Sequence, residues 1–400
     1  MPVLWRSEID KVIDTGYVNK ETSITDALIE NFYKEVMKPE DRKLLELFFT
    51  PNPTQEELNA LLKIWDIEVK GGAKALMLAY FMKQHPNLQF TAYEGPRLKG
   101  LLKYFRFHNL KIIAHYSKIG RALNEKGITP MILKGGAMKY LRPDLPRVMG
   151  DIDALVKRDE FMPAVKTVLA TGEYEYDRIF DHSVDFHEIG QEAGALDLHR
   201  YIEMDSGKGE KLVKLLYKRA RKVNVFGVRS LIPCNEDLLF ITLINLARNL
   251  KGNTSKAGLL YALFDFDFLL KSKPDFDWDI VTGNAKATDM EIQMNFALKF
   301  INKISPNILP DDIKNNIFFE EETNNFSIAV MYDRFYLNDL RTKCRPMKVA
   351  DLFKNPSEIS EYLKLKPVYF SLKLLRGHPH LIKFLIRDLK ERDYEITCLN

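Results

Sequence analysis

A chain of 400 residues with a formal net charge of +4, 46% hydrophobic and 28% charged residues, has an ordinary globular composition and is long enough for two or three domains. The mild positive balance permits an anionic substrate without requiring nucleic acid or a membrane surface. The opening MPVLWRSEIDKVIDTGY has no basic leader ahead of an apolar core, and no apolar run approaches the roughly 20 residues of a membrane span, so a cytoplasmic protein is expected. Cys234, Cys344 and Cys398 lie too far apart for a zinc site or a disulfide framework and read as reduced thiols.

In chain order, residues 1–95 read as an N-terminal helical region. TSITDALIENFYKEVM and AKALMLAYFMKQH repeat apolar residues at helical spacing, and PTQEELNALLKIWDIEV opens on a Thr–x–x–Glu start signal. PNLQFTAYEGPRLKG breaks the periodicity and marks a seam. The helix that follows carries Arg97, Lys99, Lys103, Arg106, Lys111, Lys118 and Arg121 with no acid between them. That face is either solvated or turned toward phosphates.

Residues 96–210 then form an α/β block. ITPMILK is strand-like and runs into Gly135-Gly136; AMKYLR is a short helix, DIDALV a second strand, and RDEFMPAVKTVLATG a helix ended by Gly172. EYEYDRIF, SVDFHEI and ALDLHRY are three more strands, the last two joined by the connector GQEAG. From residue 211 to 400 the expectation is helical, with NEDLLFITLINLARNL, GLLYALFDFDFLLKS, EIQMNFALKFINKI and HLIKFLIRDLKERDY as the clearest segments.

The chemistry concentrates in DIDALV. On a strand, residues i and i+2 share a face about 6–7 Å apart, so Asp151 and Asp153 project together. Two such carboxylates repel by roughly 0.7 kcal/mol in water and about 3 kcal/mol at an effective dielectric of 20. Such a pair either sits at a wet strand end, or caps the next helix, or faces a cation; oxygen-only ligands suit Mg²⁺ or Mn²⁺. Gly135-Gly136 at a strand-to-helix turn offers free backbone N–H groups to an anion. ALDLHR supplies a third carboxylate, Asp197, with His199 on the same face. A D-x-D strand and a later strand with a single Asp match a three-carboxylate, two-metal layout, in which one metal activates the attacking oxygen and the other grips a triphosphate.

These elements resemble the nucleotidyltransferase superfamily with the DNA polymerase β-type palm, and in particular its bacterial branch of uncharacterised nucleotidyltransferases. The matching motifs are LKGGA (Leu133 to Ala137), RVMGDID (Arg147 to Asp153) and LDLH (Leu196 to His199), strong over roughly residues 125 to 205. The resemblance implies an α+β fold, a mixed sheet with helices on one side, flanked by N- and C-terminal helical regions. It implies that Asp151, Asp153 and Asp197 are catalytic and bind Mg²⁺, with Mn²⁺ as a substitute. It gives Gly135 and Gly136 to the β- and γ-phosphates of an NTP, ATP foremost, whose nucleoside monophosphate passes to an acceptor hydroxyl or phosphate with release of pyrophosphate. The chain departs from the pattern in two places: Gly-Gly replaces the commoner Gly-Ser, and NLARN stands where relatives carry histidines.

Lys134, Arg142 and Arg147 flank the implied triphosphate region and are suited to neutralise it. His199 and His182 are acceptor-side candidates that equally suit structural roles, and His187 is a weaker one. GNTSKAG lacks the Gly-Lys-Ser/Thr ending of a phosphate loop, DSGKGE lacks a preceding strand, and RGHPH seldom makes a metal site alone. ALFDFDF repeats the D-x-D spelling at Asp265 and Asp267, but on a helix those positions diverge by about 200° and cannot share a metal. The acceptor is open: a small molecule, a peptide or protein side chain, or an RNA end, nucleic acid being disfavoured by the modest charge. The alternative function is a non-catalytic nucleotide-binding or regulatory protein using the same fold as an interaction platform.

Overall fold

In the computed structural model the described residues are 29–316, apart from 31–32, 34–36, 66–71, 180–181, 191–193, 203–205, 252–255, 274–275 and 307. Cys344, Cys398, RGHPH, HLIKFLIRDLKERDY and most of TSITDALIENFYKEVM and GNTSKAG lie outside them. Their helices begin with α1 (Pro39–Phe49), α2 (Gln55–Leu62), α3 (Gly72–Gln84) and the long α4 (Glu94–Glu125). The start signal of α2 is real: Thr54 accepts from the Glu57 N–H, and the Glu57 carboxylate accepts from the Thr54 N–H at 2.8 Å.

The α/β block follows as β1 (Met131–Ile132), α5 (Lys134–Leu141), β2 (Ile152–Leu155), α6 (Arg158–Ala170), β3 (Tyr174–Ile179), β4 (Ser183–Glu188) and β5 (Gly194–His199). Gly172 ends the α6 segment at φ +71°, a conformation that favours glycine. After α7 (Ser206–Arg219) come β6 (Arg221–Val225) and β7 (Val228–Ile232), where the sequence reading expected helix. They pair antiparallel across a two-residue turn, Phe226 at φ 53° and Gly227 at φ 82°, a geometry suited to the twist of a hairpin.

The seven strands form one mixed sheet in the order β3-β4-β5-β2-β1-β7-β6. β2 runs parallel to β5, β1 parallel to β7, and the other neighbours are antiparallel. The sheet therefore continues past residue 210, because β7 pairs with β1 at its centre. α4 packs on β2, β5 and β7, burying Phe105, Ile112, Tyr116 and Ile119, and Tyr116 shares a 2.8 Å hydrogen bond with Ser230 of β7. The fold is α+β, consistent with the polymerase β-type palm.

The remaining helices are α8 (Asn235–Lys251), α9 (Lys256–Ser272), α10 (Trp278–Thr288), α11 (Glu291–Ile304) and α12 (Asp311–Asn316). Residues 43–245 and 260–291 form one compact unit, which contains the whole sheet. A second unit takes in residues 246–259 and nearly all of α11, where Phe296, Leu298, Phe300 and Ile301 are buried. Among the described residues no helix is long and apolar enough to cross a membrane.

Candidate functional site

The parallel pairing of β2 with β5 sets Asp153 opposite Asp197, and the antiparallel pairing of β4 with β5 sets Asp185 opposite the same Asp197. Three carboxylates thus lie in register on three adjacent strands, a row set by backbone pairing and independent of side-chain conformation. Asp151 is not on the strand as expected; it occupies the bend one residue ahead of β2. Its carboxyl still belongs to the cluster. Burial, helped by the charges of Asp153, Asp197 and Asp185, pushes it up to about 7 against the opposing pull of Lys134.

Two cations hold the row. Lys134 donates to Asp153 Oδ1. His199, two residues beyond Asp197 on β5, points Nε2 at Asp153 Oδ1 (3.1 Å) and Asp197 Oδ2 (2.9 Å). Burial opposes charge on that imidazole, but the hydrogen bonds to Asp153 and Asp197 outweigh it and lift the group to about 9. Reciprocally, burial is overcome at Asp153 by Lys134 and His199, and at Asp197 by His199, so both carboxyls are held below their ordinary range. Among the described residues, Asp151, Asp153 and Asp197 outnumber these two cations, a balance that suits a divalent cation.

The donor atoms fit one. Asp153, Asp197 and His199 bring one polar atom each within 4.8 Å of the others, the two carboxylates as metal-facing donors and the imidazolium as the group that holds them together. Asp197 Oδ1 and His199 Nδ1 are buried without a hydrogen-bond partner among the described residues. An orphaned buried carboxylate oxygen costs free energy unless something occupies it.

The phosphate-side candidates are brought close to this row. Lys134 stands at φ 44°, left-handed for a residue with a side chain, which costs about 1–2 kcal/mol. It opens α5, whose first internal backbone bond runs from the Ala137 N–H to the Leu133 carbonyl, leaving the earlier N–H groups outside the helical ladder. The two glycines differ in kind. A Cβ on Gly136 would come within 2.8 Å of Ile132 Cγ2, so that glycine is required by the core. A Cβ on Gly135 would meet Met149 Cγ at 3.4 Å and the Arg147 guanidinium carbon at 3.7 Å, ordinary contacts beside a cation.

Arg147 is engaged. Nε donates to Asp265 Oδ1 (2.7 Å) and Nη2 to Asp265 Oδ2 (3.1 Å), with the Tyr261 ring 4.3 Å away and Val148 accepting from Nη1. Asn109 of α4 donates to the Arg147 carbonyl and accepts from the Met149 N–H, and His108 Nε2 lies 2.8 Å from the Met149 carbonyl. The segment entering Asp151 is therefore fastened by side chains from α4 and α9. His182 stacks on His199 with ring centroids 5.8 Å apart, His187 faces Glu175, and Arg142 pairs with Asp144 at the surface.

The sequence reading overlooked two residues. Asp185 reaches Asp197 only through a register shift beside His187, so the hairpin spelling did not single it out. Asp265 offered no signal, because its partnership with Arg147 spans 118 positions. Its neighbour in the D-x-D spelling, Asp267, turns instead to Lys271.

A family model described as uncharacterised nucleotidyltransferase matches residues 75–305. Among solved structures the chain is similar to the antibiotic-resistance factor ANT(2'')-Ia, with 13% identity, 48% of this chain and 96% of that chain covered, and a TM-score of 0.33. It is also similar to an antigenic nucleotidyltransferase-like protein from Paracoccidioides brasiliensis, with 15% identity, 52% and 91% covered, and a TM-score of 0.34. Superpositions this loose carry no argument. No curated protein matches the chain. The family match spans more than half of the chain and includes the whole sheet and every carboxylate of the row, so the chain belongs to the uncharacterised nucleotidyltransferase family.

Proposed function

We propose that the protein transfers a nucleoside monophosphate from an NTP, ATP foremost, to an acceptor hydroxyl or phosphate and releases pyrophosphate. The observation that carries this reading is the in-register pair Asp153 and Asp197, converging with His199 beside the half-buried Asp151. Asp151, Asp153 and Asp197 would hold Mg²⁺ or Mn²⁺, which when bound would supply charge neutralisation for the triphosphate and the entering oxygen. His199, charged by its two carboxylate partners, keeps Asp153 and Asp197 turned toward each other. Asp197 is the carboxylate suited to take the acceptor proton.

Lys134, Gly135, Gly136 and Arg147 form the phosphate side. The N–H groups at the start of α5 that lie outside the helical ladder and the two part-buried cations favour an oxyanion there. His182, stacked behind His199, is the acceptor-side candidate. The acceptor itself is not encoded in these contacts, and the family's chemistry allows a small molecule, a protein side chain or a nucleic-acid end.

Thermal stabilisation by each NTP with and without Mg²⁺, on wild type and on Asp153→Asn/Asp197→Asn, tests the reading. A metal-dependent shift for one nucleotide, lost in the double variant, supports it. A nucleotide shift that ignores both Mg²⁺ and the substitutions would favour the non-catalytic nucleotide-binding alternative.

A further inference from the structure

Helix α4 fastens the catalytic segment with one face and leaves the other in water. At 100° per residue, Phe105, Asn109, Ile112 and Tyr116 line the buried side. On the opposite side, Tyr93 at the N-cap, Arg97, Gly100, Tyr104, Phe107, Lys111 and Ala114 follow one another at alternating steps of four and three residues. All seven are exposed, Tyr104 by 62% and Phe107 by 69%. Lys103, Arg106 and Leu110 border the stripe and are exposed as well. From Tyr93 to Lys111 it is about 27 Å long, at 1.5 Å per residue.

No acidic residue occurs between Glu94 and Glu125, so no basic residue of this stretch has a carboxylate three or four positions away along its own helix except near those ends. The Arg97 guanidinium already lies flat over the Tyr93 ring, 3.4 Å from its centroid. Rings and cations thus share one exposed face. A second copy of the chain would set like charges against each other here. A helical partner would find cations and a glycine at the seam positions where knobs-into-holes packing needs aliphatic residues. An interfacial membrane helix would need a continuous apolar face, and here the continuous apolar face is buried in the protein's own core. Planar anions stacked in series meet both requirements.

We propose that this stripe of α4 binds single-stranded nucleic acid, with Tyr104 and Phe107 as base platforms and Lys103 and Arg106 on the phosphates. The surface adjoins the candidate site. Tyr104 stacks on His108 with centroids 6.3 Å apart, and His108 contacts the Met149 carbonyl two residues before Asp151. The inference stands apart from the transfer chemistry, since binding requires neither metal nor NTP.

The test is fluorescence anisotropy with a labelled uridine oligonucleotide of about 12 nucleotides, between about 50 and 200 mM salt. Four proteins are compared: wild type, Tyr104→Ala/Phe107→Ala, Lys103→Gln/Arg106→Gln, and an Arg221→Gln/Lys222→Gln control at the exposed start of β6. All the altered side chains are in solvent, so their melting temperatures should match that of wild type. The ring variant should bind at least about tenfold more weakly at unchanged salt slope. The α4 charge variant should bind more weakly, with a slope smaller by about 1.4, or 0.7 per lost phosphate contact. The β6 control should bind as wild type does. Absence of wild-type binding, equal affinity of the ring variant, or an equal loss in the β6 control overturns the proposal. So does sedimentation with phosphatidylserine vesicles in place of oligonucleotide binding.

Discussion

Asp265→Ala should cost far more stability than the Arg147–Asp265 pair contributes. The two side chains are only 13% and 8% exposed, and they meet through two hydrogen bonds of 2.7 and 3.1 Å. Burial pushes the Asp265 carboxyl above its ordinary value, while Arg147, by charge and hydrogen bonding, pulls it down and only partly succeeds. The intact pair is thus a near balance of desolvation and attraction. Removing Asp265 cancels the attraction and leaves the guanidinium desolvated over Tyr261, at a cost of about 3–5 kcal/mol. For a unit of roughly 150–250 residues, about 2–4 °C per kcal/mol, the melting temperature should fall by at least about 6 °C in calorimetry. Replacing both partners, Arg147→Met/Asp265→Leu, removes the unpaired charge and should recover most of that loss. A single variant within about 1 kcal/mol of wild type, or a double variant no better than the single, would refute the reasoning.

The two glycines of the α5 turn should separate in the same assay. Gly136→Ala forces a Cβ to 2.8 Å from Ile132 and should destabilise by about 1–3 kcal/mol, whereas Gly135→Ala meets only ordinary contacts and should change stability by less than about 1 kcal/mol. Burial, with Asp237 and Glu236 nearby, pushes the Cys234 thiol up to about 12, so its peptide should be alkylated by iodoacetamide at pH 8 far more slowly than in the unfolded chain, read by mass spectrometry. Burial likewise raises the Asp267 carboxyl against the pull of Lys271. A folded value above the unfolded one makes ionisation a penalty, present at pH 7–8 and absent below the ordinary carboxylate value. Asp267→Asn should therefore compare more favourably with wild type at pH 8 than at pH 4 in urea denaturation, and the opposite trend would count against burial as the dominant effect.

What was legible in the sequence follows the range of the interactions. The capping box of α2, the Gly172 stop and the strands from Met131 to His199 are encoded within a few residues of where they act, and they appear as expected except that β1 and β2 are shorter than the sequence suggested. The β6–β7 hairpin is also local: Val223, Val225, Val228 and Ser230 alternate around Phe226-Gly227. It escaped because a two-residue hairpin turn usually announces itself with Asn-Gly or Asp-Gly, and phenylalanine at positive φ is rare. Missing it shortened the expected sheet by two strands and hid the parallel partner of β1.

The site shows the same division more sharply, because the letters D-x-D occur twice. At Asp151 and Asp153 strand periodicity was expected to aim both carboxylates alike; Asp151 instead precedes the strand and joins the cluster from a bend. At Asp265 and Asp267 helical periodicity was expected to separate them, and it does, toward Arg147 and Lys271. Divergence disqualifies the second pair from sharing a metal without making it irrelevant. Asp265 fixes Arg147, and Arg147 stands beside Gly135 at the head of α5, so an acid 118 residues downstream sets the conformation of a cation at that turn. Local spacing identifies which carboxylates can act together. Which residue holds the cation opposite them is decided by a contact that only the folded chain creates, and a motif search over the palm alone would leave Asp265 out of the site it supports.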